Sequence, residues 1–429
     1  MGKILLTALG GATQNYRTTN YSIEGKEYSD KKFILSALDE HYNFDKIFVL
    51  GTTSSMWDAF YEHICNVTET PSNVEDYMFI NDQCSSANHE TDFSNVDLTP
   101  ITNILPDKYS LKFMKFGVSE IEMIENLNLL IEITENLEDE HEIYLDLTHG
   151  FRSNAFYMFM VMNYINDVKG SNDAIKGIFY GMHESKLNPT PILNLKIFSE
   201  ISNLLKGVHD IKNYGNFYTI TNSIEDTKIK NKLDNFSNSL NINYIGEVKN
   251  KLNELNNVIK ALKETDNPLI NMIVPKALND FLAKFSNIKS NHTFLLEISK
   301  WYYEQKKYAT SYLTMREAIT AFFCDKYLGS STKDNIEEAN SKINRLHDSY
   351  RNTNKIEKLD PSYKKMEKLL KIFRKCREIR NNIAHSGDQR LNAINDINNI
   401  PNYIDELNTL FKDKDFANYL KNRLTFFNN

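Results

Sequence analysis

Arg377, Arg380, Asn381, Ala384 and His385 stand at i, i+3, i+4, i+7 and i+8 in the segment FRKCREIRNNIAH (373–385). That is the spacing of one stripe on an α-helix. Residues four apart are neighbours on a helix surface, so the Asn381 amide can orient the His385 imidazole. An imidazole with an ordinary pKa of about 6.5 moves protons at neutral pH. A guanidinium beside it holds a phosphate and offsets the charge that develops there. Together these groups fit metal-independent RNA cleavage, in which the 2′-hydroxyl attacks the adjacent phosphate and leaves a 2′,3′-cyclic phosphate. One Arg and one His are sparse equipment; two copies meeting across a two-fold axis would supply two of each. An ordinary exposed stripe of a helical bundle has the same spacing, and R-x4-H alone does not separate the two readings. Ile379 and Ile383 fall on the opposite side and read as core.

A second set of residues suits an anion. Three apolar runs end in small or hydroxyl-rich loops: Gly10-Gly11-Ala12-Thr13-Gln14, Gly51-Thr52-Thr53-Ser54-Ser55 and Thr148-His149-Gly150-Phe151-Arg152-Ser153. Each is expected to offer backbone N–H groups, hydroxyl donors and a helix N-terminus, the features that bind phosphate. There is no GxxxxGK[ST], and Gly10-Gly11 lacks the third glycine of a dinucleotide fingerprint. Arg17 and Arg152 are the only arginines before residue 200, so backbone dipoles must carry much of any anion recognition, with Arg152 as the local counter-charge.

The elements that position these loops alternate in period. KILLTAL (3–9), DKIFVL (45–50), 109–116, EIYLDL (142–147), 178–182 and 192–198 read as strands, and 29–41, 119–137 and 152–168 as helices; 62–108 yields no assignment. The alternation predicts a Rossmann-like, doubly wound, mostly parallel sheet, with ligands beyond the carboxyl ends of its strands. From about residue 204 onward the period is helical throughout, broken near Asn267-Pro268, Gly329-Ser330 and Asp360-Pro361. The expected organisation is therefore α/β for 1–203 and an all-α bundle for 204–429. In that bundle Trp301, Tyr302, Tyr303, Tyr308, Tyr312, Phe322 and Phe323 read as core, and Glu317 as a buried or interfacial carboxylate near an arginine.

Charge divides at the same place. Residues 1–200 hold 14 Lys+Arg and 30 Asp+Glu, a net −16, whereas 201–429 hold 36 and 27, a net +9. A basic half permits an RNA partner without requiring one. The 429 residues suffice for two or three cored domains, and 41% hydrophobic content argues against wholesale disorder. No apolar run reaches about 18 residues, and MGKILLTALGG turns polar too quickly for a signal peptide. Four scattered cysteines form no CxxC, and no histidine spacing resembles HExxH; neither a metal nor a cofactor is expected, and a reducing cytoplasm is.

The segments LGGATQNY, VLGTTSSMWD, LDLTHGFRSN, IFYGMHE and PILNLKIFSEISNLLKG, followed by a helical half with R-N-x3-H, resemble the CARF–HEPN ribonucleases, ancillary nucleases of type III CRISPR systems. The resemblance spans nearly the whole chain, and D-x-THG-FRS is its most specific part. It implies a homodimeric, metal-independent single-strand RNA endonuclease, with assembly beyond the dimer left open. The allosteric activator would be a cyclic oligoadenylate, cyclic tetra-adenylate ahead of the hexamer. It would lie on the two-fold axis against Gly10–Gln14, Thr52–Ser55 and Thr148–Ser153. Arg380, Asn381 and His385 would map to the catalytic positions. The alternative is a sensor or ring nuclease whose helical half is a non-catalytic dimerisation or partner-binding module.

Overall fold

Lys3–Ala8 forms strand β1, whose residues alternate between two cores. Leu5 packs on one face of the sheet, and Ile4, Leu6 and Ala8 pack on the other. A strand buried on both faces has no polar side, which is why it reads as an unbroken apolar run. The computed structural model describes residues 2–11, 18–138, 140–170, 174–286, 288–351, 361–385 and 393–425, except the side chains of 348–351, 383–385 and 423–425. The chain divides into two compact units, Met1–Ile201 and Ser202–Asn429.

In the first unit β1 joins β2 (Thr19–Ile23), β3 (Lys26–Lys31), β4 (Lys46–Gly51), β5 (Tyr109–Phe113), β6 (Glu142–Asp146), β7 (Ile175–Gly181) and β8 (Thr190–Asn194). Their order is β3-β2-β8-β7-β6-β1-β4-β5. Pairing is parallel except for β2 with β3 and β7 with β8. Helices α1 (Ile34–Tyr42), α2 (Trp57–Val67), α3 (Val74–Ser86) and α4 (Thr99–Thr102) cover the Leu5 face. Helices α5 (Glu120–Glu135) and α6 (Arg152–Asp167) cover the other. The doubly wound, mostly parallel sheet is thus present. After the β2–β3 hairpin at the far edge, the chain adds β4 and β5 outward on one side of β1 and then returns past β1 to β6, so strand order reverses between β1 and β6. Register pairs Ala8 with Leu50 and Leu6 with Leu145, which sets the carboxyl ends of β1, β4 and β6 along one edge.

Several boundaries differ from the sequence expectation. Residues 29–31 belong to β3 rather than to a helix. The hairpin β2–β3 turns through Glu24 and Gly25 at φ 50° and 83°, both in the left-handed region that a tight hairpin requires. Its strands, TNYSI and KEYSDK, are too polar to announce themselves. The last strand stops at Asn194, and Ile197–Tyr214 is helix α7. The unassigned 62–108 stretch completes α2 and forms α3 and α4. Helix α3 buries only Ile80 and Cys84, so its periodicity is faint.

The second unit continues with α8 (Tyr218–Thr221), α9 (Thr227–Asn241), α10 (Ile245–Lys263), α11 (Pro268–Ala283), α12 (Asn291–Glu304), α13 (Tyr308–Phe323), α14 (Lys333–Arg351), α15 (Pro361–His385), α16 (Ala393–Lys412) and α17 (Lys414–Thr425). Trp301, Tyr302, Tyr312, Phe322 and Phe323 are buried in its single core, with Tyr303 and Tyr308 packed against it. Two of the three expected breaks have physical causes, while Asp360, of the third, lies outside the described residues. The Asn267 side chain accepts from Leu269 and Ile270 N–H ahead of Pro268, and Gly329 sits at φ 83° where the Cys324–Leu328 turn ends. Among the described residues no helix is long and apolar enough to cross a membrane.

Candidate functional site

The shared edge of β1, β4 and β6 gathers the three loops. Met56 N–H donates to the Gly10 carbonyl at 3.0 Å, and Gly11 bridges Ser55. Ala12, Thr13 and Gln14 lie outside the described residues. The next described element after β1 is β2, so the helix start expected after this loop is not found among the described residues.

The Gly51–Ser55 loop is largely turned inward. Thr52 N–H donates to Ser55 Oγ at 2.9 Å, and Trp57 Nε1–H donates to the Thr52 carbonyl at 2.9 Å. Thr53 Oγ1 donates to the Asn88 carbonyl and Ser55 Oγ to the Leu9 carbonyl, both at 3.4 Å. Thr52, Thr53 and Ser55 are buried, and only Ser54 is half-buried. Expected as ligand donors, three of these four hydroxyls instead hold the loop in shape. The Thr53 contact also ties the 62–108 segment to the strand ends.

The third loop keeps the most open chemistry. Asp146, at 1% exposure, accepts from Thr7 Oγ1 at 2.6 Å and from Thr148 N–H at 2.9 Å. Thr148 Oγ1 accepts from Gly181 N–H at 2.9 Å. Asp146 therefore braces β1 and β6, and Thr148 carries the brace to β7. Its place in D-x-THG was visible in the sequence; its role as a brace was not. Gly150 has φ +93°, and a Cβ there would lie 2.3 Å from Asn154 Nδ2 and 3.2 Å from Ala8 Cβ. The positive φ favours glycine, and the loop passes close to β1.

Helix α6 then starts at Arg152 with Phe151 as an N-cap whose side chain satisfies none of the first-turn N–H groups. Those groups and the helix dipole favour an anion. Arg152 is exposed and makes no ion pair with any described residue; Ser153 is half-buried. His149 is half-buried, 6.1 Å between ring centroids from His183, whose Nε2 lies 3.3 Å from Tyr21 Oη. Burial holds the His149 imidazole below its ordinary pKa; Asp146 opposes this and His183 adds to it. A neutral imidazole here can donate one hydrogen bond and accept another. His183 was not among the residues expected at the site, although IFYGMHE contains it.

Leu9, Gly11, Thr52, Met114, Gly150 and Asn154 line a cavity of about 50 Å³ between the loops. Small-molecule pockets run to roughly 300–1,000 Å³. This hollow is too small to enclose a ligand of that size.

In the second unit the candidate stripe lies on α15. Arg377, Arg380 and Asn381 are exposed. His385 is the last residue of the helix, so helical spacing extends through it; its side chain, with those of Ile383 and Ala384, lies outside the described residues. The preceding turns are core, with Met366, Leu369, Phe373 and Cys376 buried and Ile379 packed against them. Arg380 stands i+4 from Cys376 and i+7 from Phe373, so a buried apolar face continues as an exposed polar one. Glu317 is 44% exposed rather than buried and pairs with Arg316 at 2.9 Å. It is Arg316 that reaches inward, its guanidinium 5.4 Å from the Phe373 ring centroid.

A family model for the CARF domain of the CRISPR system endoribonuclease Csx1 matches residues 4–184. A model for the second domain of CRISPR-associated protein MJ1674 matches residues 200–292. The chain is 28% identical to CRISPR-associated protein MJ1674 of Methanocaldococcus jannaschii over 450 aligned residues, covering 96% of this chain and 67% of that protein. It is 25% identical to the CRISPR system endoribonuclease Csx1 of the same organism over 297 residues, 67% of this chain and 57% of that one. It thus spans about two thirds of the first relative's length and less of the second's. A structure of Enterococcus italicus Csm6 bound to cyclic hexa-2'-fluoro-hexa-dAMP aligns with 99% of this chain and 98% of its own, at 14% identity and a TM-score of 0.39. Helix α15 lies outside both matched segments. The sequence matches relate this chain to the CRISPR-associated proteins that carry a CARF domain.

Proposed function

We propose that this chain is an endoribonuclease of type III CRISPR defence that a cyclic oligoadenylate switches on. The observation that carries the reading is the convergence of three strand-end loops at the reversal of strand order, inside the segment that matches the Csx1 CARF model. The activator's phosphates meet the first-turn N–H groups of α6 and the Arg152 guanidinium, while Thr148–Gly150, braced by Asp146, holds that helix start against β1. Cyclic tetra-adenylate is the first ring size to try and the hexamer the second.

A homodimer completes both sites. Phe156, Phe159 and Met160 of α6 are exposed on the same stripe as Arg152, at i+4, i+7 and i+8, and Ile121 and Ile124 of the adjoining α5 are exposed as well. Exposed apolar residues continuous with a ligand site are the mark of an interface. A second copy on this stripe sets two helix starts around one ring ligand. In the helical unit, pairing brings two Arg380–Asn381–His385 sets together. There His385 moves the 2′-hydroxyl or leaving-group proton, and Arg380 offsets charge on the scissile phosphate. The activator must bind the cutting state more tightly than the resting state, because equal affinity shifts nothing.

Cleavage of fluorescent single-stranded RNA in EDTA, with cyclic tetra-adenylate, hexa-adenylate or neither, tests this beside the His385→Ala protein. The expected result is cutting that needs one ring and His385. Activator turnover with intact RNA would replace this reading with a ring nuclease on a helical scaffold.

A further inference from the structure

Lys371, Arg374, Arg377 and Arg380 occupy four successive i+3 positions on α15, and all four are exposed. Three other cations of the same helix are neutralised by α16 and the residue that follows it: Lys365 by Asp413, Lys368 by Glu406 and Lys375 by Asp396. Arg374 pairs only with Glu378 on its own helix, at 3.2 Å, and both are exposed. Lys371, Arg377 and Arg380 have no ion pair with any described residue. An exposed i,i+4 pair is worth only tenths of a kcal/mol, so the whole row is available to an incoming polyanion.

Each i+3 step brings neighbouring Cβ atoms to about 5–6 Å and turns the row by about 60°, so Lys371 and Arg380 stand about half a turn apart and a bound strand winds round the helix between them. Over nine residues it rises about 13 Å, the axial length of about four nucleotides stacked at about 3.4 Å. It starts beside a recess of about 210 Å³ between α14 and α15, lined by His347, Glu367, Leu370, Lys371 and Arg374. It ends at Arg380, beside Asn381. The recess holds both signs of charge. Lys371 and Arg374 suit a phosphate.

We propose that Lys371–Arg374–Arg377–Arg380 is a phosphate track that binds single-stranded RNA and leads it round α15 to the Arg380–Asn381–His385 stripe. A convex ridge of side chains suits a single strand, since the major groove of duplex RNA is too deep and narrow for side chains to read. The inference rests on the ribonuclease reading for what happens at the end of the track, but not for the binding itself.

The test is anisotropy of a labelled single-stranded RNA on the full-length His385→Ala protein across a salt series. Adding Lys371→Ala and Arg374→Ala is expected to make the slope of log K against log salt shallower by about 1.4, at about 0.7 per phosphate contact. Lys371→Arg with Arg374→Lys is expected to restore the slope, which separates lost charge from lost fold. Lys228→Ala with Lys232→Ala, two exposed lysines of α9, is expected to leave it unchanged. An unaltered slope in the α15 pair, or an equal drop in the α9 pair, overturns the track. Wild-type protein that cuts RNA while the α15 slope is unaltered removes the track and leaves the ribonuclease reading. Wild-type protein that never cuts, with the expected slope change, does the reverse.

Discussion

The two units assemble their candidate sites in opposite ways. The sheet unit draws on loops near residues 10, 52 and 148, which lie far apart in the chain, and needs parallel register to join them. The helical unit places its set within nine residues of one helix. The first site is therefore only as good as its braces: Asp146 to Thr7 and Thr148, Thr148 to Gly181, and the Thr52–Ser55 loop closed on itself. The second holds its spacing by helix geometry alone, but one copy is chemically thin. On the proposed reading, a sensor built from distant strands registers a ligand as a change in tertiary structure, and a cutter built on one helix changes state by meeting its twin. The acidic sheet half and the basic helical half fit the same division, since recognition through backbone N–H groups needs few cations and gripping RNA needs many.

The contrast breaks most decisively at His385. His385→Ala is expected to lower RNA cutting by at least 10²–10⁴-fold, the usual share of general acid–base catalysis, with activator affinity unchanged by calorimetry. A loss of affinity alongside activity would mean the two units are not separable in this way.

Acid separates the units next. His63 of α2 is buried, its Nε2 lacks a hydrogen-bond partner among the described residues, and its Nδ1 lies 3.4 Å from Ser36 Oγ. Burial lowers its pKa from 6.5 to about 4. The unfolded chain takes up a proton that the folded unit refuses, so stability is whole above pH 6.5 and falls as pH drops toward 4. The loss is roughly 3 kcal/mol. In the helical unit, burial raises the Asp325 carboxyl, but hydrogen bonds from His292 outweigh it and hold it below its ordinary value. That contribution lasts until pH falls below 3.8, through the lowered folded value. Hydrogen exchange read separately in the two units should show the sheet losing protection first, and His63→Leu should flatten that slope. Earlier loss in the helices would contradict the assignment.

Arg152→Ala is expected to weaken activator binding by about 1.5–3 kcal/mol, the range for a hydrogen bond to a charged group, with no effect on RNA affinity. Unchanged activator affinity would move the anion site off the α6 start. The smallest effect expected is that of Gly150→Ala, about 1–2 kcal/mol of sheet-unit stability for an L-residue in a left-handed conformation. A thermal melt reads it, and an unshifted midpoint would mean the loop relaxes away from Ala8.

Much of this was legible from residue order. β1 and β4 are buried on both faces, so KILLTAL and DKIFVL stand out as apolar runs. The Asn267-Pro268 and Gly329 breaks follow from local backbone chemistry. The β2–β3 hairpin did not show because its strands are polar, and α3 did not because two buried residues in thirteen leave no period. At the candidate site, the D-x-THG-FRS segment marked the α6 start, but residue types could not say which hydroxyls point outward. Thr52, Thr53 and Ser55 are donors by composition and loop braces in place, and His183 reaches His149 only because β7 lies beside β6.

The sequence by itself determined the alternation of strands and helices, the helical second half, the charge division and the spacing of Arg380, Asn381 and His385. Those properties reside in neighbouring residues and their periods. Only the tertiary structure decided that β1 sits between β4 and β6, that Asp146 is a buried brace, and that the face of Phe373 and Cys376 emerges from the core at Arg380. Each of these depends on which distant surfaces exclude water together, and no local pattern contains that.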